Sequence, residues 1–247
     1  MDKIAEDRAV DLLAEAAASG VRLNGLQLES HPQSPAEAQA IQERVVAKSG
    51  KTVAGWKVAT TAQGVATYGA IYEDDCFESG AVVSKARYPL MGIEGEVAFR
   101  FTVHLPKGGA ISREDLEKVL TPFPVIEIVA SRFADYESTP SLVRLADRMS
   151  NGGIVLGRAA GKPGRLDRLN VKLARDDETM LDQVGGHPRS DPLLPVLEFV
   201  NLVRATRSFL AGEFITAGTF TGMLEGQAGE RWDVAFAGLG EVSVKII

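Results

Sequence analysis

Gly92-Ile93-Glu94-Gly95-Glu96-Val97-Ala98-Phe99 opens a β-strand that carries two carboxylates. Successive side chains of a strand alternate between its faces, so Glu94 and Glu96 point the same way and Gly95 points the other. Neighbouring acids on one face repel, and they are costly to desolvate unless a cation neutralises them. A divalent metal is one answer. Solvent exposure is the other, because half-exposed strands often carry alternate polar residues.

Working outward, Pro124-Val125-Ile126-Glu127-Ile128-Val129-Ala130 sets one acid in an otherwise apolar strand, where burial would demand a partner. Three carboxylates with no nearby Cys or His make an all-oxygen site, suited to hard Mg²⁺ or Mn²⁺ and poorly suited to zinc. The plainer alternative has Glu127 on an exposed edge or paired with Arg132. A third feature is Lys57, a charged residue inside the apolar strand Ala54-Gly55-Trp56-Lys57-Val58-Ala59. Burial and a nearby metal would both lower its pKa toward the range useful for proton transfer. At a sheet edge it would snorkel to solvent, and taken alone that structural reading has the better prior.

The remaining chain supplies the setting. Helices are expected over 3–19, closed by Gly20, and over 34–50, where Ser34-Pro35-Ala36-Glu37 combines an N-cap, a first-turn proline and a capping-box acid. Two more are expected near 112–120 and 193–210. β-rich runs occupy 53–59, 95–105, 124–130, 153–157, 169–175, 213–217, 232–237 and 241–247, and 176–192 reads as an exposed loop. This order is not a βαβ alternation, which disfavours a doubly wound nucleotide fold. The expectation is an α+β protein with an N-terminal helical subdomain over 1–52 and a β-rich domain over 53–247.

With 247 residues, 45% of them hydrophobic, the chain can bury a sizeable core. Its formal charge of −6, with scattered Lys and Arg, argues against nucleic acid as a partner. A small anionic substrate would need a local cation to reverse that field. The single cysteine, Cys76, forms no intrachain disulfide and builds no Cys-based zinc site; it reads as a packing residue. A reducing, cytoplasmic setting follows as an expectation, since Met1–Arg8 carries acids where a signal peptide would be basic and then apolar, and no run is long enough to span a membrane.

Together, Gly55-Trp56-Lys57-Val58, the Glu94-x-Glu96 pair and Ile126-Glu127-Ile128-Val129-x-Ser131-Arg132 resemble the 2-oxo-4-pentenoate hydratases of the fumarylacetoacetate-hydrolase superfamily. Ala40-Ile41-Gln42, Tyr68-Gly69, Ala146-Asp147 with Ser150, Gly153–Gly157, Gly186-His187-Pro188 and Gly238–Val242 extend the likeness over most of the chain. The resemblance implies a mixed β-sheet roll with peripheral helices and a homo-oligomer or a complex with a related lyase. In it Glu94, Glu96 and Glu127 would hold Mg²⁺ or Mn²⁺, and Lys57, with Asp147 and Ser150, would do the chemistry. Tyr68, Arg148 and Thr219 would touch a small 2-oxo or 2-hydroxydienoic acid. The implied reaction adds water to a 2-hydroxy-2,4-dienoate to give a 4-hydroxy-2-oxo acid. Decarboxylation of a 2-oxo-3-enedioate and a noncatalytic role in assembling a related lyase are the alternatives.

Five positions depart from the family pattern: Thr67 replaces an acid, Gly92 an arginine, Gly95 an alanine, Arg148 an asparagine and Ala217 a threonine. Arg148, if it faces the pocket, could hold a second substrate carboxylate. Asp147 could instead cap a helix or pair with Arg144. His187 reads as a surface residue, and His31 lies in a linker, leaving no histidine before the glutamates to activate water for hydrolysis.

Overall fold

A computed structural model of the chain describes residues 1–61, 64–161 and 163–247. In chain order the elements are α1 (Lys3–Ser19), α2 (Pro35–Ser49), β1 (Val53–Thr60), β2 (Ala66–Tyr72), β3 (Cys76–Glu78), β4 (Ala81–Val83), β5 (Gly92–Phe101), α3 (Arg113–Lys118), β6 (Leu120–Val129), α4 (Ser141–Ala146), β7 (Asn151–Leu156), β8 (Asn170–Arg175), β9 (Glu178–Val184), α5 (Leu193–Val203), β10 (Phe214–Thr219), β11 (Leu224–Glu225), β12 (Arg231–Phe236) and β13 (Gly240–Ile246). The protein is α+β, built on two mixed sheets.

The larger sheet runs β2-β1-β10-β5-β6-β7-β3, with β11 also paired to β5, and curls until β2 approaches β7. The smaller runs β4-β13-β12-β8-β9. Trp56, Val58, Ile93, Val97, Phe99, Ile126, Ile128 and Val155 leave the outer face of the large sheet and join Trp232, Val234, Phe236, Val242 and Val244 of the small one in the main core.

Register then fixes what faces inward. Glu94 lies opposite Glu127, Glu96 opposite Val125 and Ala98 opposite Phe123. Lys57 lies opposite Thr216 on one side and Gly69 on the other. The inner face is therefore apolar at one end, where Ile71, Ala98, Phe123, Val125, Ile154 and Phe214 pack together, and charged at the other.

Both N-terminal helices begin and end as their caps dictate. Asp2 accepts from the Ala5 amide at 2.8 Å, Ser34 from that of Glu37 at 3.2 Å, and Gly20 and Gly50 close them in left-handed conformations. The layer has no core of its own: Ala9, Val10, Leu13, Ala38, Ile41 and Val45 bury themselves against Phe133 and against Val143, Leu145 and Ala146 from α4 or its end. The break at 52/53 is thus a change of secondary structure and not of packing. α2 also satisfies the free edge of β2, since buried Gln42 donates to the Tyr68 carbonyl at 2.9 Å and accepts from the Ala70 amide at 3.1 Å.

Several expectations are corrected. The loop read over 176–192 contains β9, joined to β8 by a two-residue turn at Asp176-Asp177 with Asp176 at φ 51°. The helix expected to 210 stops at Val203, and the strand expected over 95–105 starts at Gly92 and ends at Phe101. β2 and α4 had no counterpart in the sequence reading. Among the described residues no helix is long and apolar enough to cross a membrane.

Candidate metal centre

The adjacent strands β5 and β6 deliver three carboxylates to one cluster, and β1, beyond β10, delivers the lysine. Glu94, Glu96 and Glu127 each offer a carboxylate oxygen, and all three oxygens lie within 4.8 Å of one another. Glu96 is 1% exposed and Glu127 is 0%, so water screens neither. Like charges directly across a sheet are destabilising, and the Glu94–Glu127 pair is such an arrangement. Lys57 is the cation that answers it. Its Nζ donates to Glu127 Oε1 at 2.6 Å and to the Met149 carbonyl at 3.1 Å, so it is buried and paired and does not snorkel.

The electrostatics follow from this crowding. Burial, then repulsion by Glu127, pushes the Glu94 carboxyl up to about 7 against the pull of Lys57. Burial, Glu127 and Glu94 hold Glu96 well above the usual carboxylate range, eased by Lys57 and the neighbouring Thr216 hydroxyl. Burial alone would lower the Lys57 ammonium, but Glu127, Glu94 and Glu96 outweigh it and hold it above the ordinary lysine range. In the metal-free cluster, therefore, the carboxylates and not burial set the direction for Lys57.

The donor set fits a hard divalent cation. Three carboxylates face one ammonium, and Glu127 Oε2 is buried with no hydrogen-bond partner among the described residues. With all three carboxylates ionised, such an arrangement would carry about two negative charges beyond the lysine, which a divalent ion would balance and the raised carboxyl groups otherwise avoid by holding protons.

Residues absent from the sequence reading complete the walls. Asn151 donates its amide to Glu127 Oε1 at 2.9 Å, and the Gly218 amide donates to Glu96 Oε2 at 3.2 Å. Thr216 faces inward beside Lys57. Close approach also sets two glycines: a Cβ at Gly69 would stand 2.5 Å from the Arg148 carbonyl oxygen, and one at Gly95 2.8 Å from Val234. Alanine therefore does not fit at 95. At 92 the arginine of the family pattern would meet Met223, 2.6 Å from the first side-chain carbon.

Of the other expected site residues, Ser150 stands between Met149 and Asn151, which contact Lys57 and Glu127, and its own hydroxyl is buried without a partner among the described residues. Asp147 does not reach the glutamates: its carboxylate is taken by Arg132, through the side chain and the amide at 3.0 Å, and neither caps a helix nor pairs with Arg144. Glu127 is correspondingly free of Arg132. Tyr68, opposite Val58, points to the outer face, packs on Trp56 and Phe199 and donates to Glu43. Arg148 turns away and lies 4.1 Å over the Tyr72 ring. Thr219 is engaged with the turn that follows, accepting from the Thr221 amide at 3.2 Å. His187 is 6% exposed rather than on the surface, with Nε2 2.8 Å from the Ala217 carbonyl oxygen and its ring against Phe220.

Comparison with known proteins sets these strands in a lineage. The chain is 26% identical over 257 residues to 2-keto-4-pentenoate hydratase 1 of Dechloromonas aromatica (strain RCB), covering 97% of this chain and 96% of the relative. It is 28% identical over 211 residues to the 2-hydroxyhexa-2,4-dienoate hydratase of Comamonas testosteroni, covering 80% and 79%. Both relatives are hydratases by name, and the chain is similar to them over most of its length. No family model matches it. The fold is shared with a solved structure, 4-oxalocrotonate decarboxylase from Pseudomonas putida G7 complexed with magnesium and adipate. It superposes with a TM-score of 0.84 at 19% identity, over 100% of this chain and 99% of that one.

Proposed function

We propose that the protein is a metal-dependent hydro-lyase that adds water to a 2-hydroxy-2,4-dienoate of the 2-oxo-4-pentenoate type, giving a 4-hydroxy-2-oxo acid. The observation that carries this reading is the convergence of Glu94, Glu96 and Glu127 beside the buried Lys57. The named activities of the relatives supply the reaction class. Mg²⁺ or Mn²⁺ held by the three carboxylates would act as a Lewis acid that stabilises enolate charge on a bound 2-oxo acid. It would also reverse the local negative field that otherwise repels an anion.

The protein's own part is proton transfer and orientation. Lys57 is held by Glu127 and the Met149 carbonyl, so its ammonium has a fixed direction. Ketonisation of the dienol takes the proton from the 2-hydroxyl and puts one on C5; hydration then adds hydroxyl at C4 and a proton at C3. Lys57 is the group that moves protons to and from these carbons, and the Ser150 hydroxyl is free to orient substrate or water. Decarboxylation of an enedioate is less well supported, because Arg148, the residue considered for a second carboxylate, lines a separate cavity under α1 whose lining does not include the glutamates. Retention of the whole charge cluster weighs against a noncatalytic scaffold.

Ultraviolet-monitored turnover of 2-hydroxypenta-2,4-dienoate with Mg²⁺ or Mn²⁺ tests the reading. The expected product is 4-hydroxy-2-oxopentanoate, with activity abolished by chelator and reduced about 10²- to 10⁴-fold in Lys57→Ala. Glu96→Gln should lose tight metal binding by calorimetry. Turnover unaffected by chelator, or metal binding unaffected by Glu96→Gln, would overturn it.

A further inference from the structure

On the far side of the segment that holds Lys57 lies a second buried imbalance, of opposite sign. A cavity of about 830 Å³ sits between the C-terminal half of α1 and the large sheet, and Tyr72, Asp75, Arg87, Tyr88, Arg132 and Arg148 are among its lining residues. The chain carries a formal charge of −6, yet four guanidiniums line this cavity; beyond the exposed Arg22, those of Arg87, Arg132 and Arg148 meet the carboxylates of Asp75 and Asp147.

Those carboxylates are already taken. Arg132 is satisfied by Asp147 and by the Asn151 carbonyl at 2.8 Å, and Arg87 takes Asp75 Oδ1 at 2.7 Å. Arg148 is left with one hydrogen bond among the described residues, from Nη1 to the Ala70 carbonyl at 3.2 Å, and its nearest carboxylate oxygen, Asp75 Oδ2, is 3.9 Å away. It is nonetheless 6% exposed. Burial, then repulsion by Arg132, lowers its pKa to about 10, the mark of a guanidinium short of counter-charge. In the same cavity the Tyr88 hydroxyl is buried without a partner among the described residues, on a side chain 4% exposed.

The backbone that carries Arg148 is also strained. Arg148, Met149 and Ser150 have φ of 51°, 52° and 59°, three consecutive non-glycine residues in the left-handed region. Strain of this kind costs about 1–3 kcal/mol per residue and collects at ligand sites, where the surroundings hold it in place.

We infer that this cleft is a second binding site, distinct from the glutamate centre, which takes a small oxyanion, carboxylate or phosphate, on Arg148 and the Tyr88 hydroxyl. The guanidinium, backed by the Tyr72 ring, offers its unengaged N–H groups to two oxygens of one ligand. Tyr88, which lines the same cavity, adds a neutral donor.

Titration of sodium acetate and, separately, inorganic phosphate into the full chain with chelator present tests this by calorimetry and thermal shift. Saturable binding to wild type is expected, lost in Arg148→Gln, weakened about fivefold in Tyr88→Phe and unchanged in Glu96→Gln. Whichever anion binds more tightly identifies the source. Should Arg148→Gln fail to fold, Tyr88→Phe, which removes one oxygen and no packing, decides alone. Absence of saturable binding to wild type, equal affinity in Tyr88→Phe, or loss in Glu96→Gln would overturn the inference.

Discussion

The two ends of the inner face of the large sheet are built by the same strands one step apart, and they bury opposite chemistries. On β5, Ala98 belongs to the apolar end while Glu96, two residues earlier, belongs to the charged one; on β6, Val125 and Glu127 divide the same way. Backbone and burial are alike at the two ends. The difference lies in which donors reach each end: Lys57, Asn151 and the Gly218 amide serve the glutamates, whereas the apolar cluster has only the exposed Arg100 guanidinium stacked on Phe123 at its margin. A buried carboxylate is thus sustained by its neighbours and not by the strand that carries it.

The sharpest way to break the comparison is to move a carboxylate to the wrong end. Ala98 is 0% exposed and packs in the apolar cluster. Ala98→Asp should cost about 4 kcal/mol or more, or abolish folding at ambient temperature, because the hydrocarbon packed around position 98 gives the charge no buried donor. Chemical denaturation measures this, with Ala98→Val as a steric control expected to lose about 1–3 kcal/mol. Equal losses in the two variants would mean that volume and not charge separates the ends.

A smaller effect is expected from weakening support at the charged end. Asn151→Ala removes the amide donated to Glu127 Oε1 and leaves Lys57 as that oxygen's remaining donor among the described residues. A hydrogen bond to a charged group contributes about 1.5–3 kcal/mol, and metal affinity should fall about 10-fold, as for other residues that orient a ligating carboxylate. Calorimetric titration with Mg²⁺ and Mn²⁺ reads the affinity. An unchanged affinity would reduce Asn151 to a packing residue.

The charged end was the more legible of the two in sequence. Glu94, Glu96, Glu127 and Lys57 announce themselves because a charge in an apolar strand is a mismatch that needs a cause. Asn151 and Thr216 create no such mismatch, and their neutral polar side chains pass for ordinary strand ends. The capped helices α1 and α2 were readable for a local reason, since Asp2, Ser34, Gly20 and Gly50 each act within one turn. β9 was not: an edge strand of mixed polarity has no alternation to betray it, and the Asp176-Asp177 turn resembles a loop. Tyr68 and Arg148 were misdirected for want of register and of backbone conformation. Once β2 pairs with β1, Gly69 takes the Lys57 side and Tyr68 must take the other. The left-handed run at 148–150, which turns Arg148 away and presents the Met149 carbonyl to Lys57, has no glycine to signal it.

The subtlest difference between the ends lies in how they respond to pH. Burial and the Glu127 charge raise Glu94 from the usual carboxylate value to about 7 in the folded chain. Unfolding restores an ordinary carboxyl, near 4.3. Below that value both states are protonated, and the native state keeps its full stability. Between the two pKa values the unfolded state has lost a proton that the native state still holds, so stability falls as pH rises through about 7. Melting temperatures of chelator-treated protein should therefore decline across this window beyond what Glu94→Gln shows. Saturating Mg²⁺ should remove the decline by favouring the ionised carboxylates. The apolar end contributes no such slope, and Ile154→Val, which trims it by one methyl group at about 1 kcal/mol, should lower the curve without changing its shape. A wild-type profile that parallels Glu94→Gln across the window would show that Glu94 ionises as freely in the folded chain as in the unfolded one, and the contrast between the two ends would then rest on the hydrogen bonds to Glu96 and Glu127 alone.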